Sequence, residues 1–324
     1  MRVRIIVVTI PGGARREERP IRPRTGRFDS PLGWLLAAVV LAALVAGCGW
    51  ASGSNSGDRL RVVGSFYPLA WAAEQIGGDR VDVLDLTPPG VEAHDTTLSA
   101  RQVAEVQNAD VVLVLGYLGF QPQVEQAARR ASGRVVQVAR GIHLRPSQER
   151  GLSADPHVWL DPVLMEQITL TVGQALIAAD AKGKSVYEER SATVASALAA
   201  LDSSYRSGLS DCRFTSCVTT HEAFAYFADR YDLGEIAIEG LTPEAEPSAE
   251  QLRTAEAAIT QGRAAPAVFY EGTAEGQRVG RTVAARVGVE ALPLGTLEFE
   301  PARGDYPSVM RGNLVSLKKG LQCR

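Results

Sequence analysis

Histidine and cysteine are scarce in this chain, with four of each among 324 residues. That is few enough for each to be weighed singly. No P-loop, no glycine fingerprint for dinucleotides and no Gly-x-Ser-x-Gly elbow occurs, so the common signals of nucleotide enzymes and α/β-hydrolases are missing. A His-Glu-x-x-His helix, the usual base-bearing zinc motif, is missing too. Past residue 47 no uninterrupted apolar run reaches the roughly 20 residues that a spanning helix needs. Positive charge is also short. The whole chain carries a net −3, but the first 47 residues hold eight Arg against three acids. The remainder has 26 basic and 34 acidic side chains, a net of −8. Such a chain is a poor binder of nucleic acid, because a polyanion needs clustered cations. What is present is an ordinary globular balance, 45% hydrophobic and 22% charged. Disorder, collagen and coiled coil are excluded on composition, and the length suggests about two domains.

Residues 1–33 are basic and rich in Pro and Gly, and the uncharged stretch Trp34–Ala46 follows. This stretch is too short to span a bilayer but fits the apolar region of a secretory signal. Leu44-Val-Ala-Gly-Cys48 resembles the lipobox of bacterial lipoproteins. That resemblance implies cleavage before Cys48 and diacylation of its sulfur. Residues 1–47 are therefore expected to be a signal peptide and 48–59 a flexible Gly/Ser tether. The rest is expected to be extracytoplasmic.

Beyond the tether, strands and helices alternate. Arg61–Phe66 and Val81–Thr87 read as strands, and Ser99 caps a helix carrying Val103 and Val106. Val111–Leu115 is a continuous apolar run, as in a strand covered on both faces. A helix is expected over Gln121–Ala131 and a strand over Val135–Ala139. This is an α/β unit with a mostly parallel sheet, placed at 60–160. The pattern changes after Asp161. Leu164, Ile168, Val172 and Leu176 recur on one helical face, and Val194, Leu198, Leu201 and Tyr205 on another. Residues 161–210 are expected to be a helical connector. Alternation then resumes over 211–324. Strands are expected at Ser216–Thr220, Glu235–Leu241 and Ala267–Glu271. Helices are expected at Glu222–Tyr231, Ser248–Gln261, Gly276–Val287 and Tyr306–Lys319.

Three of the four histidines share a setting. His94 lies in the loop after a strand, His157 in the Pro-bounded loop Asp155-Pro-His-Val-Trp-Leu-Asp-Pro162, and His221 where a strand passes into a helix. In open parallel sheets such loops line the ligand crevice. Three imidazoles plus one further donor make a tetrahedral zinc site. Their spacings of 63 and 64 residues match no local metal motif, so the fold must assemble the site. His143 has no flanking acid or Pro and is read as a surface residue.

These motifs carry a resemblance. Pro89-Gly-Val-Glu-Ala-His-Asp95, Asn108-Ala-Asp110, the His157 motif, Thr220-His-Glu-Ala-Phe-Ala-Tyr-Phe227, Gly240-Leu-Thr-Pro-Glu-Ala-Glu-Pro-Ser248 and Phe269-Tyr-Glu271 occur in the order seen in one family. The chain resembles the zinc- and manganese-binding solute-binding lipoproteins of bacterial ABC importers, over about residues 60–320. The resemblance implies two α/β lobes joined by a long rigid helix, with the metal between them. It also implies that His94, His157 and His221 are ligands and that an importer permease is the partner. The product is then a lipid-anchored, monomeric, non-enzymatic protein on the outer face of the cell membrane.

The chain departs from the family pattern in three places. The family often draws a fourth ligand from an Asp in a Leu-Asp-Pro-Leu-Gly-like segment, but here Leu292 occupies that position. Water, or Glu298 six residues on, is expected as the fourth donor, with water slightly favoured. The stretch Leu144–Ala154 is short and free of His, so the auxiliary metal-capturing loop of many zinc members is absent. Manganese-type members tend to have Glu at the position of His221, and three imidazoles favour Zn²⁺ over Mn²⁺. Cys212 and Cys217 are expected to form a short disulfide, with a metal-binding pair as the alternative and Cys323 left over. Asp161 and Glu222 flank ligand histidines and are either their orienting carboxylates or surface charges. Trp159 either supports the ligand loop or fills core. The competing functional readings are a secreted zinc hydrolase using the same three histidines, a manganese-type importer component, and an adhesin.

Overall fold

The computed structural model describes residues 59–241 and 248–324. The expected signal segment, Cys48 and its lipobox-like motif, the expected tether up to residue 58, and residues 242–247 with Glu246 of the Gly240–Ser248 motif lie outside the described residues.

The N-terminal lobe holds β1 (Leu60–Gly64), β2 (Val81–Asp85), β3 (Val111–Val114) and β4 (Arg134–Gln137) in one parallel sheet of order β2-β1-β3-β4. Helices α1 (Tyr67–Gly77), α2 (Ala100–Asn108) and α3 (Pro122–Ala128) flank it. The C-terminal lobe repeats the plan with β5 (Ser216–Thr219), β6 (Gly234–Ala237), β7 (Ala267–Tyr270) and β8 (Glu290–Pro293) in the order β6-β5-β7-β8. Its helices are α6 (Ala225–Arg230), α7 (Ala249–Thr260), α8 (Ala274–Val287) and α9 (Tyr306–Gly320). Between the lobes run α4 (Pro162–Ala179) and the 25-residue α5 (Lys184–Gly208), separated by a short turn at Ala181–Gly183.

Local chemistry accounts for these elements. All four residues of β3 are buried, as its unbroken apolar run predicts. Ser99 and Ser248 each form a reciprocal capping box, with Gln102 and Gln251 respectively. Each satisfies two of the otherwise orphaned groups at a helix start. Asp161 caps α4 by accepting from Val163 N at 2.8 Å, and Pro162 fills the first helical position, where no N–H is needed. Gly64 ends β1 where a Cβ would lie 2.6 Å from Ala70 N, so only glycine permits this approach of strand to helix.

Some boundaries differ from expectation. The strand expected at Val135–Ala139 begins one residue earlier and stops at Gln137, and α6 is shorter than the expected helix at both ends. β8 was not foreseen at all. By length and composition α4 is apolar enough to cross a membrane. Met165, Ile168, Val172 and Leu176 on it are nonetheless fully buried in the core of the protein.

The apolar interior has three parts. Each lobe has an outer core on one sheet face, around Val112, Val106 and Val124 in the first lobe and Val268, Ala258 and Val283 in the second. A single inner core runs through both lobes and the connecting helices, joining Phe66, Trp159, Leu176, Tyr205, Phe269 and Leu317.

One disulfide expectation is corrected. Cys212 bonds to Cys323, 111 residues away, and Cys217 is free and buried. Residues 211–214 lie antiparallel to the C-terminal residues 321–324, with Phe214 N donating to Leu321 O at 3.1 Å and Arg324 N to Asp211 O at 2.9 Å. Cys217 by then has entered β5 and points into the core.

Candidate metal centre

Loops at the carboxyl ends of both sheets meet in one buried cluster, as expected for open parallel sheets. His94 follows β2, His221 follows β5, Glu271 follows β7 and Glu298 follows β8. His157 comes from the long loop after β4, just before α4. His157, His221 and Glu298 are almost fully buried, and the His94 side chain is 3% exposed. The His157 and His221 rings are 5.0 Å apart, and those of His94 and His221 5.8 Å.

Donor atoms of two overlapping groups lie within 4.8 Å of one another. One group is Glu92, His94 and His221; the other is His157, His221 and Glu298. His157 Nε2 and Glu298 Oε1 stand 3.4 Å apart. That equals the donor–donor edge of a tetrahedron with arms of about 2.0–2.1 Å, roughly 3.3–3.4 Å. Neither atom makes a hydrogen bond, and neither do Glu92 Oε1 and His94 Nε2, although all four are buried. Buried polar atoms are almost always partnered, so four orphans in one cluster call for a cation.

Orienting contacts hold the donors. Asp155 Oδ1 lies 2.9 Å from His157 Nδ1, and Glu271 Oε2 lies 2.8 Å from His221 Nδ1. At His157 this is the carboxylate–imidazole arrangement that fixes the ring and leaves the other nitrogen for a metal. His221 Nε2 meanwhile lies 3.2 Å from the Leu241 carbonyl. Glu298 Oε2 accepts from Ala93 N at 2.9 Å, which ties the β8 loop to the His94 loop across the lobes. Leu297, immediately before it, sits at φ 60°, a left-handed backbone that costs an L-residue about 1–2 kcal/mol. Strain of that kind concentrates at functional sites. Trp159 donates from Nε1 to Thr296 O at 2.7 Å, and Tyr306 Oη donates to Trp159 O. Trp159 thus supports both the His157 loop and the strand exit that carries Glu298.

Charge in the cluster is mutual. Burial disfavours a charged His94, but the carboxylates of Glu92 and Glu298 outweigh it and raise the imidazole to about 9. His157 and His221 are raised as well, against burial, chiefly by Asp155 and Glu271 respectively. Burial alone would raise Glu298, yet the surrounding imidazoles hold it below the usual carboxylate range. The cluster therefore binds protons that a divalent cation would displace.

The three predicted histidines and Glu298 come together; His143 is exposed, away from them. Leu292 is paired with Phe269 inside the C-terminal sheet and buried in the core. Asp161 and Glu222 do not orient the ligands. Asp161 caps α4 and meets Arg230 at 3.3 Å, and Glu222 is exposed. Asp155, Glu271 and Glu92 were missed as site residues. Their signal was available, since each lies inside one of the quoted motifs: Asp155 two residues before His157, Glu271 just after β7, and Glu92 two residues before His94.

Comparison with known proteins finds zinc-uptake and zinc-binding relatives. A family model described as zinc-uptake complex component A, periplasmic, or ZnuA, matches residues 62–320. The high-affinity zinc uptake system protein ZnuA of Bacillus subtilis is 31% identical over 311 residues, covering 89% of this chain and 96% of that one. The zinc-binding lipoprotein AdcA of Streptococcus pneumoniae is 30% identical over 304 residues, covering 88% of this chain and 60% of AdcA. Among solved structures, the Zn(II)-bound ZnuA-like domain of S. pneumoniae AdcA matches with a TM-score of 0.69 at 30% identity, over 81% of this chain and 99% of that one. The laminin-binding protein Lmb of Streptococcus agalactiae, described as bifunctional with adhesin and metal transporting activity, matches with a TM-score of 0.73 at 25% identity, over the same shares.

Proposed function

The chain belongs to the ZnuA family of periplasmic zinc-uptake components, which are metal-binding solute-binding proteins of ABC importers and not enzymes, and from that membership we propose that this protein captures Zn²⁺ outside the cytoplasm and hands it to an ABC-type permease. His94, His157 and His221 hold the ion, with Glu298 as fourth donor. The observation that carries this reading is the convergence of buried, unpartnered donor atoms from both lobes, with His157 Nε2 and Glu298 Oε1 already at a tetrahedral spacing. A set of three imidazoles and one carboxylate favours Zn²⁺ over Mn²⁺, which prefers oxygen donors. An acid in place of water as the fourth donor also closes the coordination sphere, as binding requires and hydrolysis does not.

Cys48 carries the membrane anchor in this reading, and the protein acts as a monomer tethered beside its permease. Two acyl chains hold a protein firmly, where one binds marginally. Support comes from the lipobox-like Leu44–Cys48 and from the lipoprotein named among the relatives. Cys48→Ser is expected to move the protein out of the membrane fraction or leave it unprocessed, and normal processing with unchanged partition would refute the anchor. For the metal, the test is elemental analysis of protein purified without added metal, followed by competition between Zn²⁺ and Mn²⁺. His94→Ala, His157→Ala and His221→Ala should each weaken Zn²⁺ binding by orders of magnitude, while His143→Ala should not. Near-wild-type affinity in any of the three would remove that residue from the site.

A further inference from the structure

The donor atoms of the cluster fall into two groups that share His221. The group of His157, His221 and Glu298 is the deeper, since His157 and Glu298 are wholly buried. The group of Glu92, His94 and His221 lies on the solvent side, where His94 Nδ1 is 3.3 Å from the exposed Asp95. Glu92 is 8% exposed. Its Oε2 lies 2.8 Å from His94 Nε2, while its Oε1 accepts no hydrogen bond and points 3.9 Å from His221 Nδ1. A buried carboxylate oxygen left without a partner between two imidazoles is costly unless something cationic occupies the gap.

We propose that Glu92, His94 and His221 form an outer holding position for the divalent cation, from which the ion passes to the inner donors by exchanging Glu92 for His157 and Glu298. The proposal rests on the zinc-capture reading above. His94 and His221 stay bound throughout and swing with the ion. One carboxylate leaves as another arrives, so the charge of the ligand set is the same at both positions. The ion then sheds its hydration in steps, and no stage leaves it in a buried site with few donors, where desolvation is most costly. Glu92 is by this argument a transfer ligand and not part of the final shell.

Two measurements test it. The first uses the full chain with His157→Ala and Glu298→Ala together, which removes the inner donors, and Co²⁺ as a spectroscopic probe. One Co²⁺ per chain, bound more weakly than in wild type and lost on adding Glu92→Gln, is expected. If wild type binds Co²⁺ and the double variant binds none, or if the triple variant still binds it, the outer position is refuted. If wild type itself binds neither Zn²⁺ nor Co²⁺, the zinc-capture reading fails instead. The second measurement needs no disruptive variant and decides the matter if the double variant does not fold. It follows Zn²⁺ uptake and release by stopped flow in Glu92→Gln and Glu92→Asp. A transfer ligand predicts at least tenfold slower uptake and slower release in both, without weaker equilibrium binding, because Asp keeps the charge but not the reach. Wild-type rates in Glu92→Asp would reduce Glu92 to a steering charge, and weaker binding with unchanged uptake would make it a final ligand; either result overturns the proposal.

Discussion

Glu298→Gln is the sharpest single test of the metal centre. The substitution preserves shape and volume at a position with no exposure, so any effect is chemical. The native carboxylate does two things at once. Oε2 accepts from Ala93 N at 2.9 Å, and Oε1 faces His157 Nε2 at 3.4 Å. An amide has one acceptor oxygen and cannot do both. If its carbonyl takes the Ala93 bond, its NH₂ faces the cation; if it turns over, two N–H donors confront each other. Removing one member of a buried charge pair typically costs about 3–5 kcal/mol. At about 1.4 kcal/mol per tenfold, the Zn²⁺ affinity should fall by roughly 10²- to 4 × 10³-fold. The assay is competition against a zinc-binding dye at fixed pH, with circular dichroism confirming the fold. Melting temperature alone would mislead, because the variant also alters the charge balance of the metal-free cluster. An affinity within threefold of wild type would refute the assignment and return water as fourth donor.

Replacing Cys212 and Cys323 by Ser should lower stability by up to about 4–5 kcal/mol, since the bond closes a loop of 111 residues, while Zn²⁺ affinity stays near wild type; a thermal melt unchanged by the double substitution would contradict the pairing. Trp159→Phe removes the bond to Thr296 O and should cost about 1–3 kcal/mol in a denaturant titration and weaken Zn²⁺ binding through Glu298, so an unchanged affinity would relieve Trp159 of its supporting role. Asp85 is pushed up to about 7, first by burial and then by Glu300 and Glu74, against the opposing Thr87 N–H. A carboxyl raised in the folded state binds more protons there than when unfolded, so stability should fall as pH rises from about 4 to about 7, and Asp85→Asn should flatten that slope in denaturant titrations run across the range; an identical slope in both proteins would dismiss Asp85 as its source.

Some of this architecture could be read from the residues because its causes are local. β3 is an unbroken apolar run, and the two capping boxes need only a Ser and a Gln three residues apart. The three histidines shared a loop setting that the fold then brought together. Other features depend on partners far along the chain. Cys212 finds Cys323 because the C-terminal tail returns beside residues 211–214, which no spacing rule reveals. β8 has four residues, two of them Glu and Pro, and exists because β7 offers an edge to pair with. Glu92 and Glu271 look like solvated loop charges until opposing imidazoles bury them. Glu298 was named only by its distance from an expected Asp, and its importance comes from a backbone kink at Leu297 and from the N–H of Ala93.

The inner core that runs through both lobes has a thermodynamic consequence for unloading. Trp71 of α1 stacks on Tyr306 of α9 at 5.0 Å, and Tyr306 in turn hydrogen-bonds to Trp159, so parting the lobes would tear a joint that is apolar as well as hydrogen-bonded. Every roughly 400 Å² of apolar surface uncovered costs about 10 kcal/mol, an opening that thermal motion alone would populate about once in 10⁷. An opening of that size would therefore be rare without an outside source of work. On the proposed function, either the ion leaves through a rearrangement of loops that spares the joint, or the permease that would receive it does the work of prising the joint apart.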